Sequence, residues 1–415
     1  MKRRILECTA SLKETMVGYY LELGTAATEK SAPVAWCTST GPVEILRALG
    51  YKVHFPENHS SMMGASRTAN DYMTRAHARG YSQDICSYLT ADIGAFLAGE
   101  TPFSAFGIEE VPRPDVLVFN TNQCRDVRDW YEFFGRTWDV PVIGIESLHM
   151  IENVTDVQVD AIASQMEDLV PPLEEIAGTR LTSDRFGEIL ALSKECVDLW
   201  KSCMGMAAHR PAPLTFFDST IHMGPVVTMR GIPAANEYYR LFLSELQKRV
   251  DDGVAAVEGE RFRLYWEGMP VWGKLRELSE LFASLSTTVV ASTYCNSWIF
   301  DALDPADPFR SMARASLELF IVRSDSPKEN YIEQMVREFS VDGIVFHDSR
   351  TCPNNSNCRY GMPERLREQL DIPVITIEGD QIDLRCYSSE QTKTSLEGFI
   401  EQLEDRSHPV GGADD

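Results

Sequence analysis

The chain opens with apolar residues at helical spacing, Leu12, Met16, Tyr19, Tyr20 and Leu23, which predicts a helical lead-in over residues 1–30. The period then changes. Val34–Cys37 is a short unbroken apolar run, followed by Thr38-Ser39-Thr40-Gly41-Pro42 and a helical stretch over 43–49. Val53–Phe55 is the next strand candidate, and Asp115–Asn120 and Pro141–Ile145 carry continuous apolar runs of strand length. Strands apolar on both faces belong between helices, where a parallel sheet is covered twice. Residues 31–154 therefore predict one α/β unit. Residues 155–214 follow as a helical segment, with Ile162, Met166 and Leu169, then Phe186, Ile189, Leu190 and Leu192 at helical spacing, broken at Pro171 and Pro172. Strand candidates return at Arg263–Trp266, Thr288–Ala291, Gly343–Phe346 and Pro373–Ile377, separated by helical stretches over 273–285 and 330–339. Residues 215–405 thus predict a second α/β unit, and the Gly- and Asp-rich tail, 406–415, is expected to be disordered.

Composition narrows the function classes. Of 415 residues, 44% are hydrophobic and 24% charged, the balance of a folded chain. Lys plus Arg number 39 against 62 Asp plus Glu, a net charge of −23, which argues against nucleic acid as a partner. No run of about 18 apolar residues is present, so no membrane span is predicted. Glu7 and Lys13 interrupt any signal-peptide core, and a cytoplasmic chain is expected.

Ten cysteines then become informative, because a reducing cytoplasm disfavours a disulfide framework. There is no Cys-x-x-Cys pair, so a metal site would have to be assembled from distant segments. Cys8, Cys196 and Cys203 read as core fillers, the last two one heptad apart on a helix. Cys37 ends a strand candidate and Cys124, Cys295, Cys352 and Cys386 each follow one, and ligands in open α/β sheets bind beyond the carboxyl ends of strands. If two such edges face each other, these thiols converge, and soft sulfur donors favour an iron–sulfur cluster or zinc. There is no Gly-x-Ser-x-Gly elbow, no phosphate-binding Gly-x-x-x-x-Gly-Lys loop and no His-Glu-x-x-His. His347, at the end of Ile344-Val345-Phe346, reads either as a proton donor or as a satisfied strand-end histidine; His59 and His222 carry the same choice. Asp380 and Asp383 are turn formers or ordering groups for the Cys386 loop, and Trp266, Trp272 and Trp298 read as core before substrate wall.

Asp84-Ile85-Cys86-Ser87-Tyr88, Asn122-Gln123-Cys124 and His347-Asp348-Ser349-Arg350-Thr351-Cys352 resemble the three cysteine motifs of the 2-hydroxyacyl-CoA dehydratase and benzoyl-CoA reductase family. The segments Ile372–Asp380, Asp383-Leu384-Arg385, Ser395–Phe399 and Tyr265–Pro270 are similar to the family as well, so the resemblance spans roughly residues 30 to 405. It implies two flavodoxin-like (Rossmann-like) parallel-sheet α/β domains joined by the helical segment. It also implies a 4Fe–4S cluster held by Cys86, Cys124 and Cys352, a separate ATP-hydrolysing iron–sulfur activator that supplies a low-potential electron, and an acyl-CoA or aryl-CoA substrate reduced through a radical. The outcome would be loss of a hydroxyl group or reduction of an aromatic ring. A homologous sister subunit or a second copy would complete a dimer. Two alternatives stay open: a non-catalytic partner subunit, and a double-cubane reductase using further thiols, with Cys37, Cys295 and Cys386 as extra metal candidates and Cys358 as another.

Overall fold

The computed structural model describes residues 4–407. Among the described residues eight strands form where apolar runs predict them. They are β1 (Val34–Cys37), β2 (Lys52–His54), β3 (Val116–Asn120), β4 (Val142–Ile145), β5 (Phe262–Glu267), β6 (Thr287–Ser292), β7 (Gly343–Ser349) and β8 (Val374–Gly379). They make two four-stranded sheets, ordered β2-β1-β3-β4 and β6-β5-β7-β8, with every pairing parallel. The fold is therefore α/β with two flavodoxin-like sheets. Parallel neighbours need crossover connections, and the helical periodicity between the runs supplies them. β1, β3, β5 and β6 are buried along their whole length, because helices cover both faces. Edge strand β8 instead exposes Thr376 and Glu378, which is why its sequence alternates.

In each sheet the strand order reverses beside its first strand, between β1 and β3 and again between β5 and β7. The crossovers leaving those neighbours run to opposite faces, which opens a crevice at the carboxyl ends of the strands. The turn after β5 shows how tightly the chain is drawn in there. Gly268 has φ +101, and a Cβ on it would lie 2.8 Å from the His347 carbonyl oxygen and 2.9 Å from that of Asn355. Only glycine meets both demands.

The lead-in is the helix Thr9–Glu29, packed against the helix Pro233–Asp251 and β2. The predicted helical segment is three helices, Asp156–Asp168, Val170–Ala177 and Ser183–Gly205. Pro171 and Pro172 stand in the first turn of the second, where a missing N–H costs no helical hydrogen bond. These helices are packed, not slack. Ser183–Gly205 lies against Val43–Ala48 and Pro233–Asp251, burying Cys196, Val197, Trp200 and Cys203, and Asp156–Asp168 lies against Pro308–Leu317. One apolar cluster runs through both sheets and includes Val118 and Ile344, and a second gathers Trp36, Leu117, Phe119 and Phe134 on the first sheet. The predicted tail, 406–415, lies outside the described residues except for Arg406 and Ser407, which extend the closing helix Ser389–Ser407.

Candidate functional site

The two crevices face one another and share a cavity of about 1060 Å³, counted out to its open mouth. The first sheet contributes Ser39 and Thr40 after β1, and Gln123 and Cys124 after β3. The second contributes Met269 and Trp272 after β5, Tyr294 and Trp298 after β6, Cys352 and Asn355 after β7, and Gln381 after β8. Cys86 enters from the end preceding the helix Ser87–Ala98. Cys86, Cys124 and Cys352 thus line one cavity although they lie far apart along the chain.

Hydrogen bonds fasten the three cysteine segments pairwise. The Cys86 N–H donates to Asp126 Oδ2 at 3.1 Å, beside Cys124. Asn354, next to Cys352, donates from its side-chain nitrogen to the Gln123 carbonyl at 2.9 Å. The Ser87 N–H donates to Thr351 Oγ1 at 3.0 Å, joining the segments of Cys86 and Cys352. Asp380, completely buried, reinforces that last tie. Its Oδ1 accepts from Ser87 Oγ at 2.7 Å, and its Oδ2 accepts from the Thr351 N–H at 2.9 Å and hydroxyl at 2.6 Å. The N–H groups of Ile382 and Asp383 complete five bonds, at 3.1 and 3.0 Å. Asp380 is a turn former, as its position suggested, but the loops it orders are those of Cys86 and Cys352, not that of Cys386.

The sulfurs have donors of their own. Gln381 Nε2 lies 3.7 Å from Cys86 Sγ, with its Oε1 anchored by Ser349 Oγ at 2.7 Å. Asn355 Nδ2 lies 3.7 Å from Cys352 Sγ. Burial, then the neighbouring Cys124 and Cys352, pushes the Cys86 thiol well up. Burial, then Cys352, lifts Cys124 to about 12, and burial lifts Cys352 to about 11 against the opposing Asn355 donors. Negative sulfurs in mutual range resist ionising without a cation between them. The donor set is accordingly suited to a soft, multiply charged metal group. Among the described residues no three Cys, His, Asp or Glu side chains are grouped so as to hold a metal ion.

The other expected thiols do not line this cavity. Cys37 is buried beside Glu57 and Arg230, and Cys295 is buried with its sulfur 3.7 Å from Thr220 Oγ1. Cys386 lies in a separate surface recess with Arg385 and Tyr387, and Cys358 is half-buried in the turn after Cys352. Following a strand was too generous a criterion, because the residue after a strand can point into the core as readily as into the crevice. His347 does not line the cavity either. Its Nδ1–H donates to the Met269 carbonyl at 2.6 Å, and burial lowers its pKa, so it braces a wall residue as a neutral ring. His59 pairs with Asp92 and Thr101 in the core, and His222 hydrogen-bonds to Thr9.

Sequence reasoning missed Glu57. It lines the cavity from the helix Pro56–Ala65; its Oε1 accepts from the Ser39 N–H at 3.0 Å, while its buried Oε2 meets no donor among the described residues. Burial raises its carboxyl to about 7. The only available signal was a carboxylate at the start of a helix just after a strand, which is too common to single out. Trp272 is on the cavity wall, against its reading as core; Trp298 lines the wall while buried in the apolar core, and Trp266 is fully buried. The Trp272 indole N–H donates to the hydroxyl of Tyr88, another wall residue.

A family model described as 2-hydroxyglutaryl-CoA dehydratase, D-component, matches residues 38–403. The chain is 30% identical over 386 residues to the (R)-2-hydroxyisocaproyl-CoA dehydratase alpha subunit of Clostridioides difficile, with 92% of each chain covered. It is 28% identical over 384 residues to the (R)-phenyllactyl-CoA dehydratase alpha subunit of Clostridium sporogenes, covering 91% of each. It is also 26% identical over 409 residues to a benzoyl-CoA reductase subunit of Thauera aromatica, covering 95% of this chain and 94% of that one. Among the described residues no helix is long and apolar enough to cross a membrane.

Proposed function

Because the chain belongs to the 2-hydroxyglutaryl-CoA dehydratase D-component family, an enzyme family of the dehydratase and benzoyl-CoA reductase type, we propose that it is the electron-accepting subunit of a CoA-thioester dehydratase or reductase. The observation that carries the reading is three thiols from opposed sheets facing one largely apolar cavity beside a carboxyl of raised pKa. Cys86, Cys124 and Cys352 would hold a 4Fe–4S cluster. When bound, that cluster would supply the electron and, through an iron that has no cysteine ligand, a Lewis acid for the thioester oxygen.

The chain's own residues do the rest. Gln381 and Asn355 direct N–H groups at two of the sulfurs, which stabilises their charge and tunes the potential. Asp380 and the ties around it keep the cysteine segments at fixed separation. Glu57 holds or releases a proton near neutral pH, as loss of a hydroxyl group as water and transfer of a substrate proton both require. Trp272, Trp298 and Tyr294 keep water from the reacting carbon. An ATP-hydrolysing activator and a sister subunit are proposed partners; the relatives' names, each of which designates one subunit of a larger enzyme, support the second. Three cavity thiols, with Cys37, Cys295 and Cys386 apart from them, favour one cubane over a double one.

The test is anaerobic. About four irons per chain and a substrate-dependent paramagnetic signal, seen with activator, ATP and CoA thioesters, are expected. An iron-free chain that still turns over, or unchanged turnover after Cys124→Ser, would remove the proposal.

A further inference from the structure

Glu57 and Asp126 are the charged residues of the cavity wall; among the described residues lining it there is no Lys, Arg or His. The nearby cation Arg230 is buried and engaged elsewhere. Its Nε pairs with Glu44 at 3.1 Å and its Nη1 donates to the Val226 carbonyl at 3.0 Å. Away from the cysteines the wall carries an apolar stretch, Met223 and Val227 from the segment 216–228, Trp298 after β6, and Leu319 and Ile321 from the segment 319–322, and its polar residues there, Asn58, Ser61 and Ser297, are uncharged.

We infer that the acyl group this cavity accepts is uncharged and hydrophobic, a branched aliphatic or aryl side chain, and that a dicarboxylic acyl group is rejected. The inference rests on the CoA-thioester reading above and sharpens it to a substrate class. An apolar side chain loses water against Met223, Val227, Leu319 and Ile321 and gains about 25 cal/mol for each Å² of apolar surface covered. A terminal carboxylate in the same place would be desolvated with no cation to pair with and two carboxyl groups in the same wall. Selectivity of this kind comes from missing partners, which discriminate more sharply than a change of size does.

The experiment needs no turnover. Quenching of intrinsic tryptophan fluorescence reads occupancy, because Trp130, Trp272 and Trp298 line the cavity. The full chain, prepared anaerobically, is titrated with 4-methylpentanoyl-CoA, with glutaryl-CoA and with free CoA. The branched acyl-CoA is expected to bind at least about tenfold more tightly than glutaryl-CoA. In Ile321→Arg, a substitution at a half-buried wall position, glutaryl-CoA should gain about tenfold while the branched ligand loses affinity, with the melting temperature unchanged. Equal affinities, or tighter binding of glutaryl-CoA to the unsubstituted chain, would overturn this inference alone. If neither thioester binds better than free CoA to the folded chain, the CoA-thioester reading falls and this inference with it. The comparison in the unsubstituted chain decides even where the variant does not fold.

Discussion

Glu57 shows how burial gives one side chain an acidity its type does not announce. Its carboxyl is raised from 4.5 to about 7 because burial disfavours the anion more than the Ser39 N–H stabilises it. A folded-state value above the unfolded one means stability is fully present below about pH 4.5 and declines as pH rises through 7. Glu57→Gln should remove that contribution, seen as a shallower fall in melting temperature between about pH 5 and 8 than in the unsubstituted chain. The same substitution should lower turnover on the order of a hundredfold, with thioester affinity retained, if the proton passes through this group. A retained pH profile in the variant would assign the titration to another residue. His347 runs the other way. Burial outweighs the opposing pull of the Met269 carbonyl and keeps it a neutral donor, so His347→Gln is expected to disturb the wall near Met269 and leave the pH profile in place.

Turns, more than strands or helices, carry the chemistry. Gly268 follows β5 where two carbonyl oxygens occupy the space a Cβ would need, so Gly268→Ala combines an unfavourable φ with a clash. A loss of about 1–3 kcal/mol is expected, measurable as a lower urea midpoint. Asp380 ends β8 and accepts five hydrogen bonds, three of them from the segments that carry Cys86 and Cys352. Asp380→Ala strands the Ser87 and Thr351 hydroxyls and should cost on the order of 3 kcal/mol. It should also speed iron loss to a chelator by roughly 10- to 100-fold, the usual effect of removing a group that orients metal ligands. Iron retained at the unsubstituted rate would show that the remaining ties, Cys86 to Asp126 and Asn354 to Gln123, are sufficient.

Across the whole molecule, the site exists only where two sheets meet. Thiols lifted to about 11 and 12 at Cys352 and Cys124 are protonated at neutral pH in the metal-free chain. Metal must displace those protons, so cluster reconstitution should release protons and strengthen with rising pH, up to roughly tenfold per unit for each proton displaced. Affinity independent of pH between about 7 and 9 would contradict the thiol ligation. Much of this architecture was legible in the chain. The unbroken apolar runs at Val34–Cys37, Val116–Asn120 and Gly343–Phe346 determine parallel strands, since both faces of each must be covered, and the helical periods between them determine the crossovers. The order of the motifs around Cys86, Cys124 and Cys352 carried the family resemblance. Tertiary structure alone decided the remainder. It separated Cys37, Cys295 and Cys386 from the cavity, placed Trp272 and Trp298 on its wall, and gave Glu57 an environment that raises its pKa. Period and propensity are properties of neighbours along the chain. Which way a residue points after a strand, and how little water surrounds it there, depends on segments far away in sequence, as the sequence separation of 293 between Ser87 and Asp380 demonstrates.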